Sequence, residues 1–171
     1  MTTQLPDAEQ LLATLAEKIK PLIKSDTALV GIHSGGAWIV ERLLPLLEKD
    51  LGTSLAHGVL DSSFYRDDFN KRGLHADTKP SQIPFEVQDR HIILVDDVFY
   101  TGRTIRAAMN ELFDYGRPAS ITLAVLIDRG GRELPISPQI AAYTLQLAPK
   151  HNLQLLRRDN GHFYLKLEEN D

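Results

Sequence analysis

The sequence predicts an α/β fold, a mostly parallel sheet flanked by helices, from three observations. Short apolar runs alternate with segments of helical periodicity, the pattern of parallel strands joined by right-handed crossovers. One run, "SITLAVLID" at 120–128, is almost continuously apolar, as a strand covered on both faces is. Polar turns follow the runs at 33–36, 96–103 and 128–133, where an open parallel sheet holds its ligands.

Taken in order, Asp7 is placed to cap a helix whose apolar positions are Leu11, Leu12, Leu15 and Ile19. Pro21 ends or kinks that helix, since it has no N–H to give. "TALVGI" (27–32) is a strand, "HSGGAW" a turn, and a second helix carries Val40, Leu43, Leu44 and Leu47. "HGVLDSSFY" (57–65) reads as another strand. From Arg66 to Arg90 the pattern fails in a polar, proline-interrupted stretch, and loops of that length inside a domain are usually functional or mobile. "HIILV" is a strand and Thr101–Asp114 a helix, with Ile105, Ala108, Met109, Leu112 and Phe113 on one face and Gly116 and Pro118 as its stop. Near the end, "LQLLRR" and "HFYLKLEE" flank Asp159-Asn160-Gly161 as a hairpin would. No repeat, low-complexity tract or linker interrupts the chain, so a single domain over 1–171 is expected.

The 171 residues suffice for one sizeable core, and 43% hydrophobic with 25% charged residues is an ordinary globular balance. A net charge of -4 supplies no global field for nucleic acid or anionic lipid. The absence of cysteine excludes disulfides, thiolate nucleophiles and cysteine zinc sites. With no apolar run near the ~20 residues of a membrane span, and no basic start and apolar core at the N-terminus, a cytoplasmic protein without membrane partners is expected. The six histidines show no HExxH or comparable ligand spacing, and neither a GxSxG elbow nor a Walker loop is present.

The chemistry concentrates in "HIILVDDVFYTGRTIRAAMNEL" (91–112). Four apolar residues run into Asp96 and Asp97, two adjacent acids that repel one another and resist desolvation. Paired acids at a strand end can hold a divalent metal or accept hydrogen bonds from vicinal hydroxyls. The residues behind them favour the second use. Tyr100-Thr101-Gly102-Arg103-Thr104 brings amides, two hydroxyls and a guanidinium to a helix start, which is an anion site. Carboxylates followed within one turn by a phosphate cradle suit a sugar phosphate.

The stretch "IILVDDVFYTGRT" (92–104) resembles the phosphoribosyl pyrophosphate motif of type I phosphoribosyltransferases. With "FYRDD" (64–68), "YGRP" (115–118) and "LIDRGGRELPI" (126–136), the chain resembles more narrowly the pyrimidine operon regulatory protein/uracil phosphoribosyltransferase family, over roughly residues 30 to 137. The resemblance implies a parallel sheet flanked by helices, a small hood over the base and a long flexible loop. It implies that Asp96 and Asp97 hold the ribose hydroxyls, and that Val98 and Tyr100 through Thr104 surround the 5′-phosphate. His33, Ser34, Gly35 and Gly36 would form the pyrophosphate loop. Arg66, Asp67, Asp68, Lys71 and Arg72 would belong to a mobile lid that keeps an oxocarbenium-like intermediate from water, with Arg66 catalytic beside Asp96 and Asp97. Asp128 and Arg129 would line the base pocket, largely through backbone groups.

The reaction so implied is uracil + phosphoribosyl pyrophosphate → UMP + pyrophosphate, in pyrimidine salvage, with Mg²⁺ carried by the donor and no direct protein metal site. A homodimer or higher homo-oligomer is expected. Family regulators commonly carry Thr-Arg where this chain has Ser34-Gly35, which leaves Mg²⁺, Arg66, Lys71 and Arg72 to neutralise pyrophosphate. The alternative is a UMP-responsive, RNA-binding attenuation regulator of pyrimidine biosynthesis genes. Against it, regulators tend to show "RGHRELPIR", with a His and an Arg where Gly131 and Ser137 stand here. "SPQIAAYTLQLAP" contains no Lys or Arg, and the first helix has one Lys against two Glu. RNA is therefore disfavoured.

Overall fold

In the computed structural model, residues 4–61 and 81–171 are described. The chain runs α1 (Ala8–Ile19), a 3₁₀ turn (Lys20–Leu22), β1 (Thr27–Ile32), α2 (Gly35–Leu51), β2 (Ala56–Leu60), β3 (His91–Phe99), α3 (Arg103–Phe113), β4 (Ser120–Asp128), β5 (Ile140–Thr144), β6 (His151–Arg157) and β7 (Phe163–Glu169). Strands β1 to β5 form one sheet in the order β2-β1-β3-β4-β5, every neighbouring pair parallel. β6 and β7 form a separate antiparallel pair. The expected mostly parallel sheet with flanking helices is what the chain adopts.

Each element follows from its residues. Asp7 caps α1 by accepting from the Glu9 amide at 2.9 Å, and Leu11, Leu12, Leu15 and Ile19 are all buried. Pro21 falls in the 3₁₀ turn that terminates the helix. The central strand β3 alternates between two cores, as a period of two requires. Ile93 and Val95 join the cluster with α1, α2 and the hairpin, while Ile92 and Leu94 join the one with α3. Burying one such side chain contributes about 1.5–3 kcal/mol, so a strand apolar on both faces anchors both layers at once.

Three expectations need correction. β3 continues through both acids to Phe99, because its pairing with β4 extends to Phe99↔Asp128, and α3 starts at Arg103 rather than Thr101. The stretch 140–144, to which the sequence pattern assigned no element, is the edge strand β5. Its register against β4 places Ile140 beside Ala124, so a short strand at the sheet edge needs only one well-buried residue. The described part of the segment read as structureless, 81–90, is docked. Gln82 bridges Val59, Val87 is buried, and Ile83 and Phe85 pack on the α3 core. Ile83, Phe85 and Val87 do alternate, but Pro84 and the surrounding polar residues obscure it. The strand read over 57–65 is described as Ala56–Leu60, Asp61 lies just past its end, and 62–65 fall outside the described residues. No helix among the described residues is long and apolar enough to cross a membrane.

Candidate functional site

The carboxyl ends of β1, β3 and β4 carry the three polar turns, and backbone contacts join them. At the end of β1, the turn His33-Ser34 leads directly into α2, with the Trp38 amide donating to the Ser34 carbonyl at 3.1 Å and a cis peptide between His33 and Ser34. This helix start presses onto β3 because it has no side chains there. A Cβ on Gly35 would lie 2.2 Å from Asp97 Oδ2, and one on Gly36 would lie 2.3 Å from the Val95 carbonyl oxygen. Gly31 in β1 is equally tight, with its Cβ position 2.5 Å from the Gly36 carbonyl oxygen. Only glycine allows this approach of α2 to the acids. His33 also lines a cavity of about 500 Å³ together with Trp38, His57 and Arg157.

Asp96 is 7% exposed and Asp97 is half-buried, so the pair sits at the mouth of the sheet. Each carboxylate turns its Oδ1 to the backbone. The Asp97 amide donates to Asp96 Oδ1 at 2.9 Å, and the Val98 amide donates to Asp97 Oδ1 at 2.7 Å. These short-range bonds hold two like charges side by side at the strand end. Among the described residues no group of three or more histidine, aspartate or glutamate side chains is arranged to hold a metal ion.

One turn later the chain reaches the start of α3. Gly102 is its N-cap with φ +97, a left-handed conformation that suits glycine, and no side chain caps the helix. The Arg103 amide donates to Thr101 Oγ1 at 3.2 Å, and Arg103 Nε lies 3.2 Å from Glu133. A helix start without a side-chain cap leaves first-turn amides available to an anion. The Thr101 carbonyl accepts from the amides of Glu133 and Leu134 at 3.0 and 3.2 Å, which fastens the cradle to the turn after β4.

In that turn, Asp128 accepts from the Gly130 amide at 3.1 Å and faces Arg132 at 3.8 Å. The Arg129 side chain is not turned to open solvent; it is 4% exposed. Its guanidinium lies 3.9 Å from the Tyr100 ring centroid and donates to the carbonyls of His151 (2.7 Å) and Ala148 (3.0 Å). Burial pushes the guanidinium pKa down from its usual value, and the Tyr100 phenol opposes that. Arg129 is thus a link between the cradle and the hairpin, which residue type and spacing alone do not disclose. Of the positions expected to act together, His33–Gly36, Asp96–Thr104 and Asp128–Arg129 occupy adjoining turns. Arg66, Asp67, Asp68, Lys71 and Arg72 lie outside the described residues.

The chain is similar to known proteins. Residues 1–147 match the family described as the phosphoribosyl transferase domain. The bifunctional protein PyrR of Nitrosococcus oceani is 51% identical over 156 residues, covering 91% of this chain and 87% of its own. Its namesake in Pseudomonas fluorescens is 45% identical over 171 residues, covering 98% and 97%. Among solved structures, the HGPRT-ase from Leishmania tarentolae in complex with GMP has a TM-score of 0.64 over 86% of this chain and 83% of that one. At 21% identity that likeness concerns the fold alone.

Proposed function

The chain belongs to the type I phosphoribosyltransferase family, alongside the bifunctional PyrR proteins, and from that premise we propose that it transfers phosphoribosyl from phosphoribosyl pyrophosphate to uracil. The observation that carries this reading is the pair Asp96–Asp97 one turn before the uncapped start of α3. It provides acceptors for vicinal hydroxyls and, one turn later in the chain, donors for a phosphate. The whole chain, 1–171, acts as one domain, because the hairpin shares a core with α1 and the sheet.

In the reaction the bond from the anomeric carbon to the pyrophosphate oxygen breaks with its electron pair. Uracil N1 forms the new bond and gives up its proton, and UMP and pyrophosphate result. The residues act by placement and charge, with no covalent nucleophile. Asp96 and Asp97 hold the ribose and Asp97 steadies positive charge at the anomeric carbon. Val98 and Tyr100–Thr104 seat the 5′-phosphate, and His33–Gly36 face the leaving group. Asp128 and Arg129 border the base through backbone groups. Arg66 and the lid positions Asp67, Asp68, Lys71 and Arg72 remain assigned to closure and phosphate charge. Mg²⁺, when carried by the donor, would neutralise the leaving pyrophosphate. Two carboxylates supply too few oxygens for a dedicated octahedral cage, which fits a cation carried by the donor.

The test is a steady-state panel of uracil, orotate, hypoxanthine, guanine and adenine with phosphoribosyl pyrophosphate and Mg²⁺. Uracil is the expected acceptor, and preference for a purine would defeat the reading. A second role in UMP-responsive RNA binding is favoured by the word "bifunctional" in the relatives' name. Arg42, Arg157 and Arg158 also gather at the β6–β7 turn, each over an aromatic ring. UMP-enhanced binding of a pyrimidine-operon leader RNA with a steep salt slope would establish it.

A further inference from the structure

The loop that leads into α2 is short of positive charge. His33-Ser34-Gly35-Gly36 contains no lysine or arginine, and a Cβ on Gly35 would lie 2.2 Å from Asp97 Oδ2. An anion that faces this loop meets the amides of a helix start that no side chain caps, but also a carboxylate pressed against it. Like charges oppose that approach, so a polyanion needs a cation beside the loop.

The cavity of about 500 Å³ that begins at His33 holds one. It follows from the layering, because α2 lies over β1 and β3 and leaves His57 of the edge strand β2 exposed beside it. Among the described residues of its wall, Arg157 is the permanent cation and Glu41 the carboxylate. Arg157 ends β6, and its guanidinium lies 4.6 Å from the Trp38 ring centroid. Trp38 stands one turn into α2, where its amide donates to the Ser34 carbonyl at 3.1 Å. The ring therefore holds the cation about one helical turn from the loop and leaves its donors free to bind. Glu41 faces Arg157 at 3.8 Å, with side chains 40% (Arg157) and 75% (Glu41) exposed. So exposed a pair contributes little, and a polyanion competes for the guanidinium readily.

We propose that Arg157 binds the pyrophosphate of the donor from this cavity, supplying the positive charge that the loop 33–36 lacks. The guanidinium fork suits two phosphate oxygens at once, and the space is within the range of small-ligand sites. The inference rests on the proposed phosphoribosyl transfer and gives the hairpin a part in it.

Calorimetric titration with pyrophosphate in the presence of Mg²⁺, and with ribose 5-phosphate, separates the two ends of the donor. For Arg157→Gln, pyrophosphate affinity falls about 10-fold, the lower end for a hydrogen bond to a charged group, while ribose 5-phosphate affinity stays within about 2-fold. Arg157→Lys restores part of the loss, because it returns the charge without the fork. Lys150→Gln removes one positive charge just before the other end of β6, where Lys150 pairs with Glu169, and leaves pyrophosphate affinity unchanged. Unchanged pyrophosphate affinity in Arg157→Gln, equal losses for both ligands, or an equal loss in Lys150→Gln overturns the proposal. No base is present in these titrations, so the base panel can reject uracil without touching them. If the unaltered protein binds neither ligand, the transferase reading fails and this inference fails with it.

Discussion

The cradle and the hairpin hold their shapes by opposite means. The cradle leans on local bonds, beside the ties from Thr101 to the turn after β4. Asp97 bonds to Asp96, Val98 to Asp97, and Arg103 to Thr101, all within two residues along the chain. The hairpin is tied by distant partners. The Phe163 amide donates to Glu9 Oε2 at 3.0 Å, and Arg42 donates to the Gly161 carbonyl at 3.1 Å. Arg129 reaches across to Ala148 and His151. A site half local and half long-range should lose chemistry when the first half is altered, and stability or base selectivity when the second is.

The largest effect is expected where the cradle itself depends on close packing. Gly36→Ala would place a methyl 2.3 Å from the Val95 carbonyl oxygen, a backbone atom that cannot swing away. We expect about 3 kcal/mol of destabilisation, the upper part of the range for overpacking, read as a lower denaturation midpoint. A normal midpoint would mean that α2 can slide off β3 at little cost.

Asp97→Asn sharpens the comparison from the chemical side. A hydrogen bond to a charged group contributes about 1.5–3 kcal/mol, so kcat/KM should fall about 10- to 150-fold. Folding stability should hold or rise, because one of two adjacent like charges is removed. Normal turnover would remove Asp97 from the ribose site.

Glu9→Gln breaks the hairpin side. Glu9 is held by Arg42 and accepts from the Phe163 amide, and the Arg42 hydrogen bond lowers its pKa below the usual carboxylate value. A depressed pKa contributes stability that is present above the unfolded value and lost as pH falls through the folded one. The variant should lose about 1–2 kcal/mol at neutral pH, with the gap to wild type narrowing in acid. A constant gap across pH would show that charge is not the cause.

This contrast also explains what the sequence disclosed. The acids, the Thr101–Thr104 cradle and the capped α1 were legible because each depends on neighbours in the chain. The hairpin could be read from Asp159-Asn160-Gly161, but its seat on Glu9 and Arg42 could not. Arg129 illustrates the limit. The resemblance implied that it borders the base through backbone groups, and its side chain joins carbonyls about twenty residues later, a contact that no spacing rule reports. β5 escaped because a short edge strand with a single well-buried residue, Ile140, shows no clear alternation.

The smallest expected effect tests where the cradle's own helix meets the rest of the fold. Glu111 in α3 accepts from Ser81 Oγ, which itself accepts from the Asp61 amide at 2.8 Å. Its Oε2 is enclosed with no hydrogen-bond partner among the described residues. Burial raises the Glu111 pKa, the Ser81 hydrogen bond opposes this, and the nearby acids Asp61 and Asp114 add to the rise. A carboxyl whose folded pKa is raised favours folding while it is protonated. That contribution is full below the ordinary value of 4.5 and is lost as pH rises through the elevated one. Glu111→Gln retains an acceptor for Ser81 without the charge. The variant should therefore match wild type near pH 4 and melt higher at pH 8, by about 2–4 °C if the difference is near 1 kcal/mol. A variant that melts lower at pH 8 would show that the charged carboxylate is instead stabilised there.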